Sequence, residues 1–167
     1  MGLNKQRSSL VSALALGVVA GMRSQMPLAI LSWKFRGLAV DGKNEVLSAL
    51  VRKAWFAPAL TTLAVGELIG DKLPMTPSRL DTGPLLGRLL FGGLAGGAAA
   101  HQFGQRSGVG ALAGASGALM GSVAGYYARR TIVKASGVPD PVVAIAEDAL
   151  ALGVGTWAVG EIPKRLT

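Results

Sequence analysis

Five ionisable residues stand inside stretches of the sequence that are otherwise almost free of charge. They are Arg23, Glu67, Asp71, Glu147 and Asp148. Arg23 alone interrupts Ser8–Trp33, a run of 26 residues. A charged side chain at the centre of a bilayer costs about 2.5–3.5 kcal/mol on insertion scales, so intramembrane charges are candidates for function by default. We therefore predict that these five residues form an ion- or solute-binding site.

Arg23 needs a partner, because a guanidinium stays charged at any ordinary pH. At 1.5 Å per helical residue it lies roughly 21 Å into its run, and Glu67 and Glu147 fall near the same depth. We expect one of these two carboxylates to face Arg23 and the other to bind a cation or proton. Asp148 points about 100° away from Glu147 around a helix, so it serves a different neighbour. The competing hypothesis is a purely structural ion pair that fixes the helix packing.

A second group of basic residues flanks the apolar runs. Its members are Lys72, Arg79, Arg88, Arg129 and Arg130. Cations at the level of the lipid headgroups can hold a lipid phosphate. More often, such cations are simply the solvated ends of membrane helices.

The sequence carries no signature of catalysis. It has no cysteine and a single histidine, His101, and it contains neither a zinc-binding motif nor a phosphate-binding loop. The run Gly92–Gly97 lies inside an apolar stretch, so it is not a dinucleotide-binding loop. We predict a protein that is not an enzyme and uses no metal or cofactor.

The elements that must position the charges are membrane helices. Half of the 167 residues are hydrophobic and 16% are charged, whereas an ordinary soluble domain carries about 25% charge. Five apolar runs approach the length of about 20 residues that spans a bilayer. We predict a single multi-pass, all-α membrane bundle over residues 1–167. Its expected spans are 9–33, 54–73, 87–105, 107–128 and 140–160, with an interfacial helix over 44–56.

The charge distribution bears on partners and orientation. The net charge of +8 comes with only 5% aromatic residues, so stacking on nucleic acid is not expected. With five spans, eight basic residues fall on each side of the membrane, and the positive-inside rule gives no direction. The expected partner is the lipid bilayer. Dual insertion with an antiparallel homodimer is a further hypothesis.

Glycines recur at four-residue spacing, which gives helices faces that pack closely. The segment Gly17–Gly21 also resembles Gly121–Gly125, and Ala64–Glu67 resembles Ala144–Glu147. With five spans, each matched pair crosses the membrane in opposite directions. The pattern therefore suggests an inverted repeat of spans one and two by spans four and five, as in many transporters. Chance matches between Gly/Ala-rich helices are the alternative.

Two segments of the chain carry a family resemblance. They are Gly17-x-x-x-Gly21-x-Arg23-x-x-x-Pro27-Leu28-Ala29 and Gly66-Glu67-x-x-Gly70-Asp71-Lys72-Leu73-Pro74-x-Thr76-Pro77-x-Arg79. They resemble a family of small bacterial membrane proteins, the domain of unknown function 4126. The resemblance implies an inner-membrane protein and assigns no chemistry. The buried charges favour a transporter or channel for an ion or small solute. The alternatives are a membrane scaffold and a protein that handles lipid phosphates.

Overall fold

The computed structural model describes residues 2–36, 55–70 and 80–163. These ranges are all-α, as predicted, and contain six helices and no strand. The helices are α1 (Gly2–Met22), α2 (Met26–Phe35), α3 (Phe56–Gly70), α4 (Thr82–Gln102), α5 (Ser107–Ser136) and α6 (Asp140–Gly160). The predicted interfacial helix lies outside the described residues apart from its last two positions, and Asp71, Lys72 and Arg79 also lie outside them.

The first predicted span is the main difference between expectation and structure. It consists of two helices, α1 and α2, separated by a short turn at Arg23–Gln25. Pro27 stands at the start of α2, where the missing proline N–H would have no helical partner in any case. An apolar run is continuous across this turn because hydropathy reports burial and not the direction of the chain.

The chain reverses at this turn, so α1 and α2 form a helical hairpin. The turn lies against Asp148 of α6, to which Arg23 donates a hydrogen bond. About two helical turns further along α6, Gly155 faces both Val19 of α1 and Ile30 of α2. Both arms therefore extend from the turn in the same direction along α6, which requires them to run antiparallel to each other.

The remaining predicted segments correspond to one helix each. Helix α6 has the predicted bounds, and α3 lies within its predicted segment. Helix α4 begins at Thr82 instead of residue 87. Pro84 therefore lies in its first turn, where proline is tolerated. Helix α5 continues past residue 128 and ends at Ser136. Gly137 follows it, and its φ of 66° is the left-handed conformation typical of a glycine after a helix.

Successive helices alternate in direction. Trp33 of α2 bonds Thr61 of α3, and at the other end of that pair Glu67 of α3 reaches the turn before α2, so these two helices are antiparallel. Helices α4 and α5 form an antiparallel pair around the turn at Phe103–Arg106. We call the end of the bundle where α1, α3 and α5 begin the amino-terminal end, and the other the opposite end.

Helices α1, α4 and α5 pack backbone against backbone. Gly17 faces Gly114, and Gly21 faces Ala118 and Ser122, so α1 and α5 run in the same direction. Gly114 also contacts Gly92 of α4. The two glycine motifs that suggested an inverted repeat lie on α1 and α5. Their parallel course does not support that repeat, since an inverted repeat requires opposite directions.

The exterior of the bundle is apolar, and part of its interior is charged. Leu112, Ile69 and Leu90 have exposed fractions of 73%, 62% and 61%, whereas the exposed fractions of Arg23 and Arg88 are 1% and 4%. This distribution is the reverse of the one that water favours. Helices α5 and α6 are long and apolar enough to cross a membrane.

The helix contacts predict that adding one methyl group at Gly114 destabilises the bundle. A Cβ atom there would overlap the backbone of Gly92, so Gly114→Ala should lower the free energy of unfolding by about 2 kcal/mol, a typical cost of overpacking. Gly153→Ala on α6 is the matched control, because a Cβ atom there meets nothing within 4 Å. Thermal unfolding in detergent checks both variants. Equal stability of the two would contradict the packing described here.

Candidate functional site

The backbone amides of the α1–α2 turn are bound by a carboxylate. Ser24 N donates to Glu67 Oε1 at 2.9 Å, and Gln25 N donates to Glu67 Oε2 at 3.2 Å. These amides lie at the start of α2, where a helix leaves its N–H groups without internal partners. A negative charge is also favoured at this end of the helix dipole. Glu67 of α3 thus acts as the cap of α2.

The carbonyl side of the turn is bound by arginine and serine. Gly21 O accepts hydrogen bonds from Arg88 Nη1 at 2.7 Å and from Ser122 Oγ at 3.2 Å. Met22 O accepts one from Arg23 Nη1 at 3.2 Å. These are carbonyls of the last turn of α1, which have no partner further along that helix. Helices α4 and α5 therefore close the end of α1.

Two ion pairs surround the turn. Arg23 Nε donates to Asp148 Oδ1 at 2.6 Å, and Arg23 Nη2 pairs with the same carboxylate. Arg88 Nη2 lies 3.4 Å from Glu67 Oε1. We call these four residues the turn cluster. Its two guanidinium groups and two carboxylates balance in charge, which lowers the cost of burying them.

The partner of Arg23 differs from the expected one. We predicted Glu67 or Glu147, and the structure brings Asp148 to Arg23. The offset of about 100° between adjacent helical residues explains the exchange. It directs Asp148 toward α1 and Glu147 toward α5, where Glu147 Oε2 lies 3.9 Å from Arg129 Nη1.

Arg88 belongs to the turn cluster and not to a headgroup-level surface. It lies next to residue 87, the predicted start of its span, but α4 begins at Thr82, and Arg88 is buried in its second turn. The available signal was the segment Asp81–Pro84, because an acidic residue followed by an early proline is typical of a helix start. Sequence reasoning also missed Ser122 as a ligand of the turn.

The other predicted residues form a separate group between α5 and α6. Arg129 donates to Asp140 through Nε at 2.7 Å and Nη2 at 2.5 Å. Arg130 is exposed beside Tyr126. Within the described ranges, no cluster of three or more His, Cys, Asp or Glu side chains that could hold a metal ion is found.

These features define an all-α bundle in which a buried helical hairpin is closed by two arginine–carboxylate pairs. The chain belongs to the family described as Domain of unknown function (DUF4126), whose model matches residues 10–164. The family resemblance seen in the sequence is thereby confirmed. Comparisons with curated proteins and with solved structures found no match.

The turn cluster predicts a large cost for removing Arg88. Arg88→Met removes the guanidinium that pairs with the Glu67 carboxylate and one of the two donors to Gly21 O, and it should lower the free energy of unfolding by about 3 kcal/mol. Arg130→Met, at an exposed position, should change it by less than about 0.5 kcal/mol. Thermal or denaturant unfolding in detergent measures both variants.

A double variant tests whether Arg88 and Glu67 act together. Glu67→Gln combined with Arg88→Met should cost less than the sum of the two single changes, because each single change leaves a buried charge unpaired. Strictly additive costs would contradict the pairing.

Proposed function

We propose that the chain is a multi-pass protein of the bacterial inner membrane that transports or conducts a small ion or solute at the turn cluster. The observation that carries the proposal is the α1–α2 turn itself, a non-helical backbone segment surrounded by buried charges. In membrane proteins such backbone is tolerated only where it is buried in protein or lines a cavity. Non-helical backbone at membrane depth occurs in re-entrant loops, in selectivity filters and in the broken helices of transporters.

The apolar exterior supports membrane embedding. The distance along α4 from Arg88 to its end at Gln102 is roughly 21 Å, and from Arg88 back to Thr82 roughly 9 Å. Together these lengths approach the 30 Å of a bilayer core. The turn cluster would then lie within the hydrocarbon region, nearer to the opposite end of the bundle.

Two features of the turn support binding of a solute. The side-chain oxygen of Gln25 is buried and has no hydrogen-bond partner among the described residues, although buried polar atoms are normally paired. A bound cation or hydrogen-bond donor would supply that partner. In addition, Glu67 stands on α3, which packs mainly against α2. A small shift of α3 would free the turn amides and Arg88 for a solute.

The alternating helix directions also give an orientation. Around the amino-terminal end, the described basic residues are Lys5, Arg7, Lys34, Arg36 and Arg106, whereas Arg129, Arg130 and Lys134 lie toward the opposite end. Among these described residues the count is five against three, whereas the balanced count with five spans covered the whole chain. By the positive-inside rule, the amino-terminal end faces the cytoplasm.

Single cysteines test the topology, since the chain has none of its own. We expect Asn4→Cys and Gln105→Cys to react with a membrane-impermeant thiol reagent from the cytoplasmic side and Ser136→Cys from the periplasmic side. The five-span arrangement predicts instead that positions 4 and 136 share a side. Labelling of intact cells and of inverted vesicles separates the two arrangements.

Flux measurements test the function. Purified protein in liposomes should move at least one member of a panel of inorganic cations, protons, inorganic anions and small carboxylates faster than empty vesicles do. Glu67→Gln should reduce that flux by about tenfold, a loss expected from one charged hydrogen-bonding group. Glu161→Gln, at an exposed position at the amino-terminal end, is the control and should keep the flux of the unmodified protein.

A membrane scaffold is the second candidate. The observation that favours it is the hydrogen bonding of the turn, in which Glu67 binds backbone groups of the turn and Arg88 and Ser122 bind a backbone carbonyl of α1. If the unmodified protein moves nothing under either polarity of voltage and pH gradient, and Glu67→Gln lowers only thermal stability, the scaffold replaces the transporter.

A further inference from the structure

Helices α5 and α6 leave a cleft between them on the side of the turn cluster that faces the opposite end of the bundle. The cleft has a volume of about 390 Å³, within the range of about 300–1,000 Å³ typical of small-molecule sites. Val18 and Met22 of α1 contribute to it, and Ile132 and Leu150 stand on its two walls. The lining is apolar except at one place.

The polar part of the cleft consists of Arg129 and Glu147, with Asp140 beside them. Arg129 bonds both oxygens of Asp140 and lies 3.9 Å from Glu147. The Glu147 side chain is only 9% exposed and that of Asp140 is 53% exposed. The polar end of the cleft therefore presents a guanidinium and a carboxylate side by side.

We propose that this cleft binds one phospholipid with a primary ammonium in its headgroup, of the phosphoethanolamine type. One acyl chain would lie in the cleft against Met22 and Leu150. The ammonium would donate a charge-assisted hydrogen bond to Glu147, and the phosphate would lie beside Arg129. This inference rests on membrane embedding and does not depend on transport at the turn cluster.

The headgroup chemistry selects this lipid over other membrane lipids. A phosphoglycerol headgroup has hydroxyl groups but no ammonium to pair with Glu147. A phosphocholine headgroup has no N–H group to donate to Glu147. The depth is also consistent, because Arg129 lies seven residues beyond Ser122, roughly 10 Å from the turn toward the membrane surface. Headgroup and apolar cleft therefore follow each other in the order that a lipid requires.

Native mass spectrometry of the delipidated full-length protein tests the proposal. The probes are phosphatidylethanolamine, phosphatidylglycerol and phosphatidylcholine with identical acyl chains. We expect one phosphatidylethanolamine to bind about tenfold more tightly than either competitor, and Glu147→Gln to abolish that preference. Glu161→Gln, an exposed acid on the loop after α6, should retain it.

A second pair of variants tests the cleft without changing any charge. Ala146 lines the cleft, whereas Ala149 is exposed on the same helix and does not line it. Ala146→Leu should displace the bound lipid, and Ala149→Leu should not. This pair decides the question if Glu147→Gln fails to fold.

Three outcomes would overturn the proposal. Equal retention of the three lipids by the unmodified protein would mean that only the surrounding lipid layer is detected. A phosphatidylethanolamine preference that survives Glu147→Gln would remove the headgroup assignment, and one that survives Ala146→Leu would remove the cleft. Loss of solute flux in Glu67→Gln with lipid binding unchanged would leave this inference intact, so the two proposals fail separately.

Discussion

The backbone of the α1–α2 turn has to be hydrogen-bonded in the interior of the bundle, and the arrangement of the other helices follows from this need. A backbone polar group that lacks a partner in an apolar environment costs several kcal/mol. Each remaining helix except α6 supplies a group that bonds the turn: Glu67 from α3, Arg88 from α4 and Ser122 from α5. Helix α6 supplies Asp148, which neutralises Arg23 next to the turn. The described part of the fold is thus organised around the turn between α1 and α2.

The glycine faces of α1, α4 and α5 also contribute to the hydrogen bonding of the turn. Arg88 and Ser122 reach Gly21 O from two different helices, which is feasible only when the backbones of α1, α4 and α5 lie in close contact. Glycine permits this approach because it has no side chain. The likeness between the glycine segments of α1 and α5 then has a packing explanation, since these helices contact each other along their glycine-bearing faces.

The positions of four of the helices could be predicted from the apolar runs, because a run of sufficient length between charges indicates one buried helix. The reversal at Arg23–Gln25 could not, since the residues on both sides are equally apolar. The burial of Arg23 was predictable from its isolation in that run. Its partner depended on the rotation of α6, which sequence depth does not fix, so Asp148 was assigned to a different neighbour. Arg88 was assigned to the headgroup level because it lies next to the predicted start of its span at residue 87, whereas α4 begins at Thr82.

The charge balance of the turn cluster determines which contact can yield first. Asp148 belongs to a long helix that packs along both α1 and α2, whereas Glu67 belongs to a short helix that packs mainly against α2. Separating either pair exposes an arginine, but only the withdrawal of Glu67 also frees two backbone amides. A solute that replaces Glu67 would therefore recover both the charge of Arg88 and those two donors. Helix α3 therefore has fewer packing contacts than α6, and its withdrawal frees more hydrogen-bond donors. For both reasons the turn would open at α3 and not at α6.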